Sequence, residues 1–144
     1  MQILVDADAC PVKELIVKIA KEFNLSVTMF FDNAHVYEDG YSKVVILDQG
    51  RDSVDFELII HVKEGDIVVT QDYGVATLAL SKNAKVINQN GMIYTHNNID
   101  SLLFQRHMSA QLRRQGKRIK SSKKRSKSDN ASFEYNFLKL IKGN

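Results

Sequence analysis

Short apolar runs that alternate with stretches of helical periodicity constrain the fold of this chain more than any other feature. Residues 2–6 (Gln-Ile-Leu-Val-Asp) predict a short buried strand. Pro11 then stands where proline suits the first turn of a helix. The apolar residues that follow it share one helical face, and they are Val12, Leu15, Ile16, Ile19, Ala20 and Phe23.

The same alternation continues along the chain. Four further apolar runs predict strands, namely Val27–Phe31, Lys43–Leu47, Ile67–Thr70 and Lys85–Asn88. Helical stretches near Val54–Lys63 and Val75–Asn83 lie between them. Strand and helix in turn predict an α/β fold with three layers, in which helices cover both faces of a mainly parallel sheet. Asn90-Gly91 is a two-residue hairpin signal and predicts an antiparallel strand at the edge of this sheet.

Charge divides the chain into an acidic body and a basic segment. Residues 1–100 hold 15 acidic and 8 basic residues, whereas residues 101–128 hold 10 Lys or Arg and no acid. We therefore predict a domain over residues 1–116, a basic and flexible segment over 117–128, and a C-terminal helix over 129–144 that packs on the domain. An acidic body beside a basic segment suits a cation site next to a surface for polyanions.

The chain shows no signal for a membrane or for export. No apolar run approaches the length of about 18 residues that a membrane span requires, and the start of the chain leads into Asp6 and Asp8. Cys10 is the single cysteine, so no internal disulfide can form. We expect a cytoplasmic protein without membrane partners, and the sequence does not predict its oligomeric state.

Aspartates follow nearly every predicted strand. Ligands of open α/β sheets bind at the carboxyl ends of the strands, so these positions are the candidates for a site. They are Asp6, Asp8, Asp32, Asp48, Asp52, Asp55 and Asp72. Asp66 precedes its strand and is expected at the opposite edge. Clustered carboxylates repel one another, and Mg²⁺ or Mn²⁺ is the cation expected to neutralise them.

Several of these residues have a structural interpretation as well. Asp52, Asp55 and Asp72 stand where an aspartate caps a helix, and Asp32 and Asp48 stand in turn-like sequences. For Asp72 we favour function over capping, and for Asp48 we favour the turn. Asp6 and Asp8 are the strongest candidates, because aspartate is disfavoured in strands and this pair ends a central one. Cys10 is interpreted as a small packed residue.

Three motifs resemble the YaiI/YqxD family of uncharacterised bacterial proteins. They are Asp6-Ala7-Asp8-Ala9-Cys10-Pro11-Val12, Gly65-Asp66-Ile67-Val68-Val69-Thr70-Gln71-Asp72 and Leu112-Arg113-Arg114-Gln115-Gly116. The resemblance covers residues 1 to about 118 and implies a PIN-like domain with strand order 3-2-1-4-5 and an acidic, metal-dependent nuclease centre. Carried over residue by residue, that centre is Asp6, Asp8, Asp55 and Asp72.

The leading hypothesis is a Mg²⁺- or Mn²⁺-dependent nuclease that cleaves RNA more readily than DNA. Asp6, Asp8, Asp55 and Asp72 would hold the metal. Five basic residues would bind the phosphates of the nucleic acid, namely Arg106, Arg113, Arg114, Lys117 and Arg118. The alternative interpretation of the basic run is a solvated tail.

Two other functions remain open at the level of the sequence. A strand that ends in Asp-x-Asp also resembles haloacid-dehalogenase-type phosphatases, in which Asp6 would be the nucleophile. That interpretation lacks the acidic pair expected after a later strand. The third hypothesis is a non-catalytic RNA-binding module, whose affinity for RNA would not depend on Mn²⁺.

Overall fold

The computed structural model describes residues 1–32, 37–47, 53–117 and 124–143. Strands and helices alternate through most of these residues. Their order is β1 (Ile3–Asp6), α1 (Lys13–Glu22), β2 (Val27–Phe31), β3 (Lys43–Ile46), α2 (Ser53–His61), β4 (Ile67–Val69), α3 (Tyr73–Ser81), β5 (Lys85–Ile87), β6 (Ile93–Tyr94), α4 (His96–Arg114) and α5 (Lys127–Lys142). No helix in these parts of the chain is long and apolar enough to cross a membrane.

One six-stranded sheet organises the molecule, with the order β3-β2-β1-β4-β5-β6. The first five strands are parallel to one another, and β6 pairs antiparallel with β5 at the edge. The predicted α/β class, the mainly parallel sheet and the antiparallel edge are therefore confirmed. Because β1 lies between β2 and β4, its carboxyl end is flanked by the ends of two parallel strands.

Two apolar cores lie on opposite faces of the sheet, which confirms the three layers. On one face, α1 and α5 contribute Ile16, Ile19, Phe133 and Phe137. On the other face, α2, α3 and α4 contribute the buried residues Val54, Leu58, Val75, Ala76, Ala79, Leu80 and Ile99. Strand side chains alternate between the two cores, as the pleat of a sheet requires.

The β5–β6 hairpin is one residue longer than the Asn90-Gly91 signal predicts. The Asn88 N–H donates to the Met92 carbonyl oxygen at 2.9 Å, and this pair encloses three residues. The Asn88 side chain stabilises the turn by accepting from the N–H groups of Asn90 and Met92. Gly91 has φ +93°, a left-handed conformation that glycine adopts without the penalty of a side chain.

Helix α5 is anchored to this hairpin at two points. An added Cβ on Gly91 would lie 2.6 Å from the backbone carbon and oxygen of Ser132, so the two backbones approach as closely as a glycine allows. Arg125 donates to the Asn90 side-chain oxygen at 2.6 Å and to the Gln89 carbonyl at 3.0 Å. The hairpin and the start of α5 therefore form one packed unit.

Candidate active site

A cavity of about 670 Å³ opens at the carboxyl edge of the sheet, between the ends of β1 and β4 and the side of α4. Three of the predicted carboxylates line it, namely Asp6, Asp8 and Asp72. Two of the predicted arginines, Arg106 and Arg113, line it as well. Aspartates from strand ends and arginines from a later helix thus share one space.

Asp6 is connected to Asp72 through the buried hydroxyl of Thr70. The Thr70 hydroxyl donates to Asp6 Oδ2 at 3.0 Å, and the backbone N–H of Asp72 donates to the Thr70 hydroxyl oxygen at 3.0 Å. Thr70 is only 2 % exposed. This chain of hydrogen bonds fixes the carboxyl group of Asp6 relative to the residue that begins α3.

The surroundings of the Asp6 carboxyl group disfavour its ionised form. Its pKa rises from 3.8 to about 6: burial raises it most, the hydrogen bond from Thr70 lowers it, and the charges of Asp55, Asp72 and Asp8 raise it. Each of the other three predicted metal ligands is therefore near enough to disfavour ionisation of Asp6. Such a group is neutralised by a proton or by a cation.

Asp8 helps to shape the same edge. Its Oδ2 accepts from the backbone N–H of Asp32 at 2.8 Å, which ties the loop after β1 to the end of β2. The backbone turns sharply at the next residue, since Ala9 has φ +55°. This bend lets the chain leave β1 and enter α1 beside the cavity.

Asp72 caps helix α3, as its structural interpretation supposed. Its Oδ1 accepts from the N–H groups of Gly74 at 2.7 Å and Val75 at 3.2 Å. An aspartate in this position satisfies N–H groups that have no partner within the helix and interacts favourably with the helix dipole. Asp72 is thus a cap that also lines the cavity, and the two interpretations are compatible.

The donor set can be compared with the requirements of a divalent ion. Within the described ranges, no three Asp, Glu, His or Cys side chains form a group that could hold a metal. Mg²⁺ commonly uses only one or two carboxylates and takes its other ligands from water and substrate phosphate. The partly buried, mutually repelling carboxylates of the cavity fit that mode. The metal site itself stays a prediction.

Helix α4 supplies the basic wall of the cavity. Leu102, Arg106, Ser109 and Arg113 line it at spacings of three or four residues, which is one face of a helix. Thr95 begins the helix with a capping box to Asn98. Two other predicted phosphate ligands, Arg114 at the end of α4 and Lys117 just after it, are exposed and do not line the cavity. Arg118 lies outside the described residues.

Sequence comparison establishes the family. The model of the family described as "Uncharacterized BCR, YaiI/YqxD family" matches residues 4–143. The chain belongs to the YaiI/YqxD family. This confirms the resemblance seen in the motifs, whereas the PIN-like nuclease activity that the resemblance implies stays a prediction.

Relatives of this YaiI/YqxD chain match it over nearly its whole length. A UPF0178 protein of Ruminiclostridium cellulolyticum is 56% identical over 142 residues, which is 99% of this chain and 93% of the relative. A UPF0178 protein of Alkaliphilus oremlandii is 52% identical over 134 residues, 93% of this chain and 86% of the relative. No solved structure matches the chain at a significant level.

Other candidate residues of this family member have structural roles or lie elsewhere. Asp66 is at the opposite edge of the sheet, as predicted, and its carboxylate accepts from the backbone N–H groups of Gln2 and Lys63 and from the Gln2 amide. Cys10 lines the cavity but is only 6 % exposed, and burial raises the pKa of its thiol. Asp48 and Asp52 lie outside the described residues.

Sequence reasoning missed the uncharged polar side chains of the cavity in this YaiI/YqxD protein. They are Thr70, Gln71, Tyr73, Gln89, Gln105 and Ser109. Thr70 and Gln71 directly follow β4, so the rule that selected the aspartates could have selected them too. Ser109 could have been found from its spacing of three residues to Arg106 on the predicted helix, and Gln105 from its spacing of four residues to Ser109.

Proposed function

We propose that this protein is a divalent-metal-dependent phosphodiesterase that acts on nucleic acid, with RNA as the expected substrate. The observation that carries the proposal is the cavity itself, in which Asp6, Asp8 and Asp72 share one space with Arg106 and Arg113. Carboxylates suit a hard cation, and guanidinium groups suit phosphate oxygens. The oxygens of a phosphodiester can bind a divalent cation and an arginine at the same time, so this substrate matches both parts of the cavity.

The acidic and the basic residues of the cavity would have separate roles. Asp6, Asp8 and Asp72 would hold Mg²⁺ or Mn²⁺, and Asp55 would add its charge from α2. When bound, such a cation would supply an activated water molecule and would stabilise the leaving oxygen. Arg106 and Arg113 would bind the phosphate oxygens and orient the phosphodiester towards the carboxylates. The hydrogen bond from Thr70 would keep Asp6 in place during this reaction.

A cleavage assay tests the proposal. End-labelled single-stranded RNA is incubated with the protein in Mn²⁺, in Mg²⁺ or in EDTA, and cleavage is expected only with a metal. Asp6→Asn should abolish it. Asp100→Asn is the matched control, because Asp100 is an exposed aspartate of α4 that does not line the cavity. Cleavage that persists in EDTA or in Asp6→Asn would contradict the proposal.

Metal binding gives a second, independent readout. Mn²⁺ should raise the melting temperature, and the rise should be smaller at pH 5 than at pH 7, because protons compete with the metal for Asp6. RNA binding that is indifferent to Mn²⁺, without cleavage, would instead indicate a non-catalytic binding module. A phosphoenzyme trapped with a phosphate analogue would indicate the phosphatase.

A further inference from the structure

The cavity carries a second kind of chemistry beside its charges. Gln71 and Tyr73 flank Asp72 in the chain, and Gln105 directly precedes Arg106 on α4. All of them line the cavity. The lining therefore includes two uncharged amides, from Gln71 and Gln105, and two flat groups, the Tyr73 ring and the Arg106 guanidinium. A phosphate needs none of these amides or rings.

The Tyr73 ring is held in a defined orientation. The ring of Tyr94 meets it edge-on, with centroids 5.9 Å apart and an interplanar angle of 71°. Tyr94 is only 2 % exposed, so this support belongs to the core. The guanidinium carbon of Arg106 lies 5.8 Å from the centre of the Tyr73 ring. Tyrosine and arginine thus form a supported pair of flat groups.

Unpaired nucleobases are bound by groups of this kind. They stack on aromatic rings or on guanidinium planes, and their edges form hydrogen bonds with polar side chains. A glutamine amide offers two N–H donors and one carbonyl acceptor, which suits the mixed edge of a base. In a duplex these faces are stacked and these edges are paired, so they are available only in a single strand.

We infer that Tyr73, Arg106, Gln71 and Gln105 form a nucleobase-binding subsite beside the carboxylates, and that the substrate is single-stranded nucleic acid. Arg106 can serve both the base and the phosphate, because a guanidinium stacks through its face and donates hydrogen bonds in its plane. This inference rests on the proposed function and specifies its substrate class. The cavity volume of about 670 Å³ falls within the range of small-ligand sites, roughly 300–1,000 Å³. It therefore suits a nucleotide-sized part of the strand.

Binding measurements in EDTA test the subsite without cleavage. Fluorescence anisotropy compares a single-stranded RNA, the same RNA with several central bases removed, and the duplex. The charge of the first two is the same, so their difference reports the bases. We expect the intact strand to bind about tenfold more tightly than the abasic strand, in keeping with one stacked base. The duplex should bind more weakly than the intact single strand.

Variants of Tyr73 separate stacking from structure. Tyr73→Phe keeps the ring and should keep the discrimination between intact and abasic strands. Tyr73→Leu keeps an apolar group against Tyr94 but loses the ring, and the discrimination should fall to about twofold or less. Tyr135→Leu is the matched control, because Tyr135 is 70 % exposed on α5. That variant should behave like the unmodified protein.

Equal affinity for intact and abasic strands would overturn the inference, as would discrimination that survives in Tyr73→Leu or tighter binding of the duplex. Cleavage of both strands in Mn²⁺ is measured alongside. If both are cut but bound equally, the base subsite fails and the phosphodiesterase stands. If the bases are discriminated but neither strand is cut in any metal, the phosphodiesterase fails and the cavity only binds single strands.

Discussion

The Asp6 carboxyl group makes folding of this protein dependent on pH. Its pKa is about 6 in the folded chain and about 3.8 when solvated, so the folded state binds the proton more tightly. Stability from this group is fully present below pH 4 and is lost as the pH rises through 6. The loss is at most about 3 kcal/mol, at 1.36 kcal/mol for each pKa unit.

Asp6→Asn should remove this loss, since asparagine stays neutral and its carbonyl oxygen still accepts from Thr70. In EDTA, the variant should match the unmodified protein near pH 4 and exceed its unfolding free energy by about 1–3 kcal/mol at pH 7. Denaturant unfolding between these pH values measures the difference. A variant that is less stable at pH 7 would assign Asp6 to a structural role.

Asp72 combines a structural and a proposed chemical role, and two substitutions separate them. Asparagine caps helices about as well as aspartate, whereas alanine cannot accept the N–H groups of Gly74 and Val75. Asp72→Ala should therefore lose about 1 kcal/mol of stability, and Asp72→Asn much less. Both should lose metal-dependent cleavage. Full cleavage by Asp72→Asn would restrict this residue to capping.

At the scale of elements, a single aspartate orders residues 37–42, directly before β3. Asp39 accepts from the Tyr37 hydroxyl at 2.6 Å and from the N–H groups of Tyr41 and Ser42 at 2.8 and 2.6 Å. Although burial raises its pKa, these hydrogen bonds outweigh burial and lower the pKa from 3.8 to about 2. The ionised carboxylate of Asp39 therefore stabilises residues 37–42.

Asp39→Asn should therefore lower the unfolding free energy of the protein, whereas Asp6→Asn should raise it. A lowered pKa stabilises the fold above pH 4, and this contribution disappears as the pH falls through 2. The deficit of the variant should be largest at neutral pH and shrink towards pH 2. Denaturant unfolding of both proteins across this range is the measurement. A deficit that does not change with pH would point to lost packing instead.

Alanine substitutions at two glycines separate the cost of a strained backbone from the cost of disturbing the close contact between α5 and the β5–β6 hairpin. Gly40 has φ +72° with nothing within 4 Å of an added Cβ, whereas a Cβ on Gly91 would meet the Ser132 backbone at 2.6 Å. Gly40→Ala should cost about 1–2 kcal/mol through its left-handed backbone. Gly91→Ala should cost about 1–3 kcal/mol more through overpacking. Equal losses of unfolding free energy in the two variants, measured by denaturant unfolding, would mean that α5 shifts to accommodate the added methyl group at little cost.

At the scale of the whole molecule, charge should govern affinity for nucleic acid. If residues 106–127 form the polyanion surface, affinity for single-stranded RNA should fall with salt at a log–log slope of roughly −0.7 per phosphate contact. Neutralising the basic residues of 117–127 should flatten that slope. Arg125 is kept, because it anchors α5 through Asn90, Gln89 and Asn130. Metal binding should not change.

Two lysines of α5, Lys139 and Lys142, provide a charge-matched control. They lie in the last turn of that helix, and neither lines the cavity. Their replacement by glutamine should leave the salt dependence as it was. A slope that is unchanged in the 117–127 variant would make that stretch a solvated tail, as the alternative interpretation of the sequence supposed.

The sequence predicts the sheet well because each strand carries its own apolar run and turn signals. It also predicts that Asp6, Asp8 and Asp72 share an edge, since parallel strands end together. What it does not predict depends on distant contacts. The side of α4 that faces the carboxylates, the Thr70 bridge and the Arg125 anchor arise only when separate elements pack, and no local periodicity encodes them.

The Arg125 anchor has a consequence for avidity. Arg113 lines the cavity, and Arg125 is bonded to the carbonyl of Gln89, which also lines it. Arg113 and Arg125, two described residues of the basic part of the chain, are therefore both held at one cavity. If the cavity holds a nucleic-acid strand as proposed, basic residues joined to these two points would meet that strand as an intramolecular event, at a high effective concentration. Each lysine between Arg113 and Arg125 would then add to the retention of one bound strand, instead of recruiting another.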